Sequence, residues 1–356
     1  IALLRVLKGG FMTPEVSMYL VLTIVFKMGM AAMMGYYLFK VNRWAGALFF
    51  LAAISFTHPL YTRFSDDALF MMMLYGGLYL VVQREKSQPF LIGMVVFTLL
   101  HVYFAVLQAC GITDIMWIPT HNVRVEGLMG NPNGAAAAIA LCIPAFFQKN
   151  LKYLLPIPIL GLILIDCSGG AIGAILATTI YLFVEFKLWR VFIVAGGLIA
   201  LVLFLCFVDT PVIDQRVYGW YKALVLYFKG FDLPFQKFLG VGIGNWKLFN
   251  DIAIKAGNIE PGWTRLHSTF IQGFIEMGFP FLVILTGYLT SLRKLRDPHM
   301  LAALGAIFIV CSANSVFHMN AVNGMFIVIW LSIIGKEHGR SDYRSRPRGN
   351  SDGSTP

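Results

Sequence analysis

The amino-acid sequence predicts an all-α polytopic integral membrane protein, and three observations lead to that class. Of its 356 residues, 58% are hydrophobic and only 13% are charged, and the mean hydropathy is +0.72, far outside the soluble range. Apolar segments recur at roughly 16–38, 44–60, 67–83, 89–109, 133–148, 151–167, 169–186, 190–208, 268–290, 300–316 and 321–335. Several are near the ~20 residues that a helix needs to cross a bilayer. The basic residues of the short connections also fall on one side of the membrane when these segments alternate in direction, as membrane insertion favours. About eleven transmembrane helices are expected, or twelve if a further helix precedes Ile1.

Taken in order, residues 1–15 carry Arg5 and Lys8 and read either as an interfacial helix or as the remnant of a span. The chain opens on Ile1, without the basic, apolar and small-residue succession of a cleaved signal peptide. Lys40 and Arg43, Arg84 and Lys86, Lys149 and Lys152, Lys187 and Arg190, and Arg293, Lys294 and Arg296 share one side with the Arg-rich tail after Lys336. That side is expected to be cytoplasmic, which places 61–66, 110–132 and 209–267 outside. Residues 1–336 form one membrane domain whose outer loop, 209–267, is long, aromatic and suited to be an active-site lid. Residues 337–356, rich in Ser, Arg, Gly and Asp, are expected to be a disordered basic cytoplasmic tail.

The net charge of +10 lies in these loops and the tail, so it argues for membrane topology and against nucleic acid. Cys110, Cys142, Cys167, Cys206 and Cys311 show no CxxC spacing and read as small packing residues, with a Cys110–Cys167 disulfide left open. No HExxH, paired CxxC or carboxylate cluster marks a metal site. No cofactor is expected.

Three polar constellations carry the candidate chemistry. The first runs His121-Asn-Val-Arg124-Val-Glu126-Gly127-Leu-Met-Gly130-Asn131-Pro132-Asn133-Gly134. Its Gly-Asn-Pro-Asn segment is turn chemistry, and Asn133 can cap the small-residue helix that follows. Arg124 beside a helix N-terminus would make an anion site, although a tight outer turn explains the same residues.

The second places Arg216, Trp220, Ala223 and Tyr227 on one face of an amphipathic helix. An interfacial anchor with a lipid-phosphate contact is the plainer reading of that face. It is followed by Gly240-Val-Gly242-Ile-Gly244-Asn-Trp246, where no βαβ unit supports a nucleotide site, and tight turns or close approach to a glycan fit better.

The third is Arg265-Leu-His267-Ser268, leading into Gln272, Glu276 and Gly278. A histidine at the outer mouth of a membrane helix suits proton transfer, and it would equally serve as a hydrogen-bonding cap for the lid. Lys27, His101 and Glu276 within apolar segments are costly there and are either functional or satisfied by packing.

Taken in order, Arg124-x-x-Gly127 leading to Asn131-Pro132-Asn133, Arg216-x-x-x-Trp220 before the glycine run, and His267-Ser268 before Glu276-x-Gly278 resemble the O-antigen ligase and polymerase superfamily of bacterial envelope glycosyltransferases. The resemblance spans roughly residues 120–290. One departure is Ser168-Gly169-Gly170, where the family often has Ser-Arg-Gly.

The resemblance implies a C-type glycosyltransferase architecture in the bacterial inner membrane. It would move an oligo- or polysaccharide from undecaprenyl diphosphate to an acceptor on the periplasmic face, without a metal ion. In that reading Arg124 and Arg216 stabilise the diphosphate leaving group and His267 is the base. Arg265, Glu126, Asn131, Asn133, Trp220 and Trp246 are candidate substrate-binding residues. O-antigen ligase acting on lipid A core is favoured over polymerase and over protein O-oligosaccharyltransferase. A transporter or flippase for a lipid-linked sugar is the alternative of another class, with its polar groups expected near the midplane.

Overall fold

A computed structural model describes residues 14–55, 63–112, 125–186, 196–197, 210–229, 238–246, 266–314 and 321–344. Within them the chain forms α1 (Pro14–Val41), α2 (Arg43–Ser55), α3 (Arg63–Arg84), α4 (Ser87–Ala109), α5 (Pro132–Phe146), α6 (Pro156–Ile165), α7 (Ser168–Glu185), α8 (Thr210–Lys229), α9 (Thr269–Ser291), α10 (Pro298–Ala313) and α11 (Ala321–Arg344). No strand occurs among the described residues. Among the described residues three helices, α4, α7 and α9, are long and apolar enough to cross a membrane. α2, α5, α6 and α10 are shorter apolar helices. Large apolar side chains such as Ile163, Val283 and Phe308 face outward, as lipid-facing surfaces require.

Ten of the eleven expected apolar segments coincide with helices; the segment 190–208 lies outside the described residues except for 196–197. Arg124, Arg265 and Cys206 also lie outside them. The outer loop contains the twenty-residue helix α8, which carries the amphipathic face expected around Arg216. One expectation needs correction: the helix α11 continues to Arg344, into the tail expected to be disordered from 337. Composition alone hides this, because a nucleated helix propagates readily through residues such as Lys, Glu and Arg.

α5 is the centre of the bundle. Every residue from Ala135 to Phe146 is buried, as expected for a helix that is apolar all round. It packs against α4, α6, α7, α10 and α11. Small side chains let its neighbours approach closely: a Cβ on Gly170 of α7 would stand 2.4 Å from the Ala136 Cβ, and one on Gly161 of α6 would stand 2.9 Å from Ile139 Cδ1. Close backbone approach is the usual basis of helix association where lipid removes the hydrophobic drive.

Two hydrogen bonds fix α11 beside α5. Asn323 Nδ2 donates to Gly134 O at 3.0 Å, and Trp330 Nε1 donates to Leu141 O at 2.8 Å. The donors are two turns apart on one helix and the acceptors two turns apart on the other, so the two helices run parallel. Further along α11, Ser332 Oγ donates to Tyr79 O and Lys336 Nζ to Glu85 O, tying it to the end of α3.

Candidate functional site

The site forms where the starts of α5, α7 and α9 meet the end of α10. Asn131 begins α5: its backbone is extended, and its Oδ1 accepts from Asn133 N at 2.9 Å and Gly134 N at 3.3 Å. The sequence assigns this cap to Asn133. Pro132 explains the shift, because proline is preorganised for the first helical position and lacks an N–H, so the cap falls on the residue before it. Asn133 Oδ1 instead accepts the Cys167 thiol at 3.0 Å. Cys110 and Cys167 are both free thiols, which removes the disulfide between them.

Two side chains of α4 that carry no motif hold the turn before α5. Gln108 Oε1 accepts from Glu126 N at 2.9 Å and from Gly127 N at 2.8 Å, while its Nε2 donates to Gly127 O at 3.1 Å. His101 Nδ1 accepts from Leu128 N at 3.0 Å and its ring stacks on Phe97. Gly127 has φ +56°, and a Cβ there would lie 2.3 Å from His101 Cε1. His101 and Gln108 are seven residues apart on one helix face, so α4 clamps the turn in one register. Glu126 is fully buried beneath it.

This clamp yields a stability prediction. Gln108→Leu leaves two backbone donors without their acceptor and is expected to cost about 2–4 kcal/mol, read as a lower thermal midpoint in detergent. Gln108→Glu, which keeps the acceptor oxygens, should lose less; equal losses would show that packing rather than hydrogen bonding holds the turn.

The α8 helix supplies the cation. Ala223 and Tyr227 are fully buried and Trp220 packs beside them, while Val217, Tyr218 and Tyr221 face outward, so the face expected from the sequence is the one that packs. Arg216 is half-buried, and its Nη1 donates to Ala313 O at 3.1 Å. Burial pushes its guanidinium below the usual arginine range, opposed by its electrostatic interaction with Cys167. One turn along, Trp220 Nε1 donates to Leu266 O at 2.6 Å, which holds the residue immediately before His267.

His267 has φ +51°, an uncommon conformation for a residue with a side chain. It precedes Ser268, whose Oγ caps α9 by accepting from Ile271 N at 3.4 Å. Strain of this kind is tolerated where surrounding structure enforces it, and it clusters at functional positions. Thr269 then donates through both N and Oγ1 to Asn314 O, at 3.0 and 2.7 Å. Arg216 and Thr269 therefore bind the consecutive carbonyls of Ala313 and Asn314.

The glycine run packs against a break in α9. Gly278 has φ +68° and ψ −158°, and Pro280 follows it. Pro280 has no N–H for the Glu276 carbonyl four residues back. The loop fills the gap: Val241 N donates to Ile275 O and Gly242 N to Glu276 O, both at 2.9 Å. Gly240, Gly242 and Gly244 all have positive φ, which fits the expected tight turns, but the close approach is to the protein's own backbone.

Glu276 Oε1 accepts from Gln272 Nε2 at 3.0 Å and from Trp246 N at 3.4 Å. Burial pushes the Tyr227 hydroxyl up to about 12, opposed by a hydrogen bond from the Gly240 backbone. Trp246 is buried in the same cluster as Tyr227, Leu266 and Ile275.

The fold thus brings Arg216 and His267 to one place, with Asn131 and Asn133 serving the α5 start. Trp220 is engaged in bracing the His267 segment, and Trp246 and Glu126 lie in the interior. Among the described residues no group of three His, Cys, Asp or Glu side chains is placed to hold a metal ion. Compared with protein-family models and with curated proteins, the chain matches none. Fold and site together define an all-helical chain with membrane-length apolar helices and a cationic, histidine-bearing cluster at one end of its bundle.

Proposed function

We propose that this chain is a membrane glycosyltransferase that moves a glycan from undecaprenyl diphosphate to an acceptor on the periplasmic face of a bacterial inner membrane, with its C-terminus cytoplasmic. One observation carries the reading: Arg216 and His267 are fastened, through Ala313 O and Leu266 O, at the end of the bundle where three helix N-termini converge. A diphosphate leaving group needs fixed positive charge as its bond to the sugar breaks, and an arginine supplies planar donors that stay charged. His267 takes the proton of the acceptor hydroxyl as its oxygen bonds to the anomeric carbon. The released undecaprenyl diphosphate carries away the electrons of the broken C–O bond.

Lipid A core is the preferred acceptor, as the order of the Arg, Arg and His motifs suggests. The transport alternative is weakened by its own candidates. His101 and Glu276, the buried polar groups it would use, bind the backbone N–H groups of Leu128 and Trp246.

The test uses purified protein with an undecaprenyl diphosphate glycan as sole substrate, then lipid A core, following released undecaprenyl diphosphate and product size. Release only after core is added is the expected result. Longer lipid-linked chains before any acceptor would make the protein a polymerase, and no release in either condition would remove the transferase reading.

A further inference from the structure

The first turn of α7 has backbone donors without acceptors. Its N-cap is Cys167, which makes no side-chain cap, and the thiol is turned to Asn133. The first backbone bond of the helix is Ala171 N to Cys167 O, and the N–H groups of Ser168, Gly169 and Gly170 find no acceptor among the described residues. Such a triplet, at the positive end of an eighteen-residue helix, attracts an anion.

A second, independent group points to the same place. Asn314 is only 7% exposed, and its carboxamide makes no hydrogen bond among the described residues. Its Nδ2 lies 4.0 Å from where a Gly169 Cβ would be, and the Ala313 Cβ lies 3.5 Å from that point. Its backbone is pinned by Thr269 on its own carbonyl and by Arg216 on the preceding one. An enclosed amide that the protein leaves unpaired takes its partner from water or from a ligand. Arg216 donates to the Ala313 carbonyl of the same Ala313–Asn314 pair.

We propose that the first turn of α7 and the Asn314 carboxamide form an oxyanion subsite beside Arg216 that takes one phosphate of a diphosphate ester. Arg216 holds the neighbouring phosphate, so the two negative groups are divided between a fixed cation and a cluster of neutral donors. Glycine at 169 leaves the backbone open to the anion. The inference rests on the transferase reading only for which diphosphate arrives; the donor set itself is independent of it.

The experiment measures binding of inorganic pyrophosphate and of undecaprenyl diphosphate to the purified full chain in detergent, by calorimetry. Asn314→Asp keeps the side-chain shape but replaces a donor with a carboxylate, and is expected to weaken both ligands about tenfold or more. Ser168→Pro removes one N–H at the first helical position, which tolerates proline after the extended Cys167. It should weaken binding by about threefold to tenfold, whereas Ser168→Ala, which keeps the N–H, should bind as the parent does.

Binding by Asn314→Asp and Ser168→Pro within about twofold of the parent overturns the subsite, as does a parent that binds neither ligand. Variant losses seen with both ligands assign the site to the diphosphate itself. Losses seen only with the lipid assign it to the lipid-linked headgroup. Glycan turnover separates the two readings: variant losses without any turnover by the parent leave the anion site standing and remove the transferase, and unchanged turnover in both variants does the reverse.

Discussion

Alanine in place of Arg216, His267 or Arg124 is expected to abolish glycan transfer while leaving the protein inserted in the membrane. Removing one preorganised stabiliser of developing negative charge typically costs about 10²–10³-fold in rate, and removing a general base about 10²–10⁴-fold. Arg216→Lys should recover little, because an ammonium cannot bind Ala313 O and a phosphate with the same planar fork. The structural contribution of Arg216 is modest, a single hydrogen bond to Ala313 O from a half-buried side chain. Membrane fractionation and thermal midpoints of the Arg216 variants should therefore stay close to the parent's. Transfer rates with a lipid-linked donor provide the check, and normal turnover by His267→Ala would remove the assigned base.

Gly278→Ala is expected to be the most damaging single methyl group in the described structure. A Cβ there would lie 1.9 Å from Phe238 O and 2.8 Å from Gly240 N, in a backbone conformation (φ +68°, ψ −158°) that essentially only glycine adopts. Two losses combine. Backbone strain contributes about 1–3 kcal/mol, and displacing the loop frees the carbonyls of Ile275 and Glu276 at about 1–3 kcal/mol each. A fall of several kcal/mol in stability, on the order of 3–5, should appear as a large drop in thermal midpoint and as protease sensitivity of the 238–246 loop. Gly93→Ala is the matched control: nothing lies within 4 Å of its added Cβ, and alanine favours the helix. Similar losses in both variants would show that the glycine loop does not depend on the break in α9.

Much of the helical layout was legible in the sequence because burial in a bilayer forces long apolar runs, and those runs stop at basic or turn residues. The segments expected at 89–109, 169–186 and 268–290 match α4, α7 and α9 within two residues at each end. The packing face of α8 was legible from helical periodicity alone, and so was the turn chemistry around Gly130 and Asn131. Which residues share a space was not. Gln108 and Asn314 are single polar residues in or beside apolar segments, and nothing local marks one as a clamp and the other as an unpaired donor.

Asn133 and Asn131 are two positions apart with the same chemistry, and only the helix start at Pro132 decides which one caps. Glu276 looked like a costly charge until the break at Gly278 brought Trp246 N to its carboxylate. The sequence by itself determined the all-helical, membrane-like class and the positions of most helices, because hydrophobic periodicity is a local property. Only the tertiary structure decided that Arg216, His267, Asn314 and the start of α7 meet, because their convergence depends on how α7, α8, α9 and α10 pack, and that is set by contacts between residues far apart in the sequence, as between Gly169 and Ala313 and between Arg216 and Ala313.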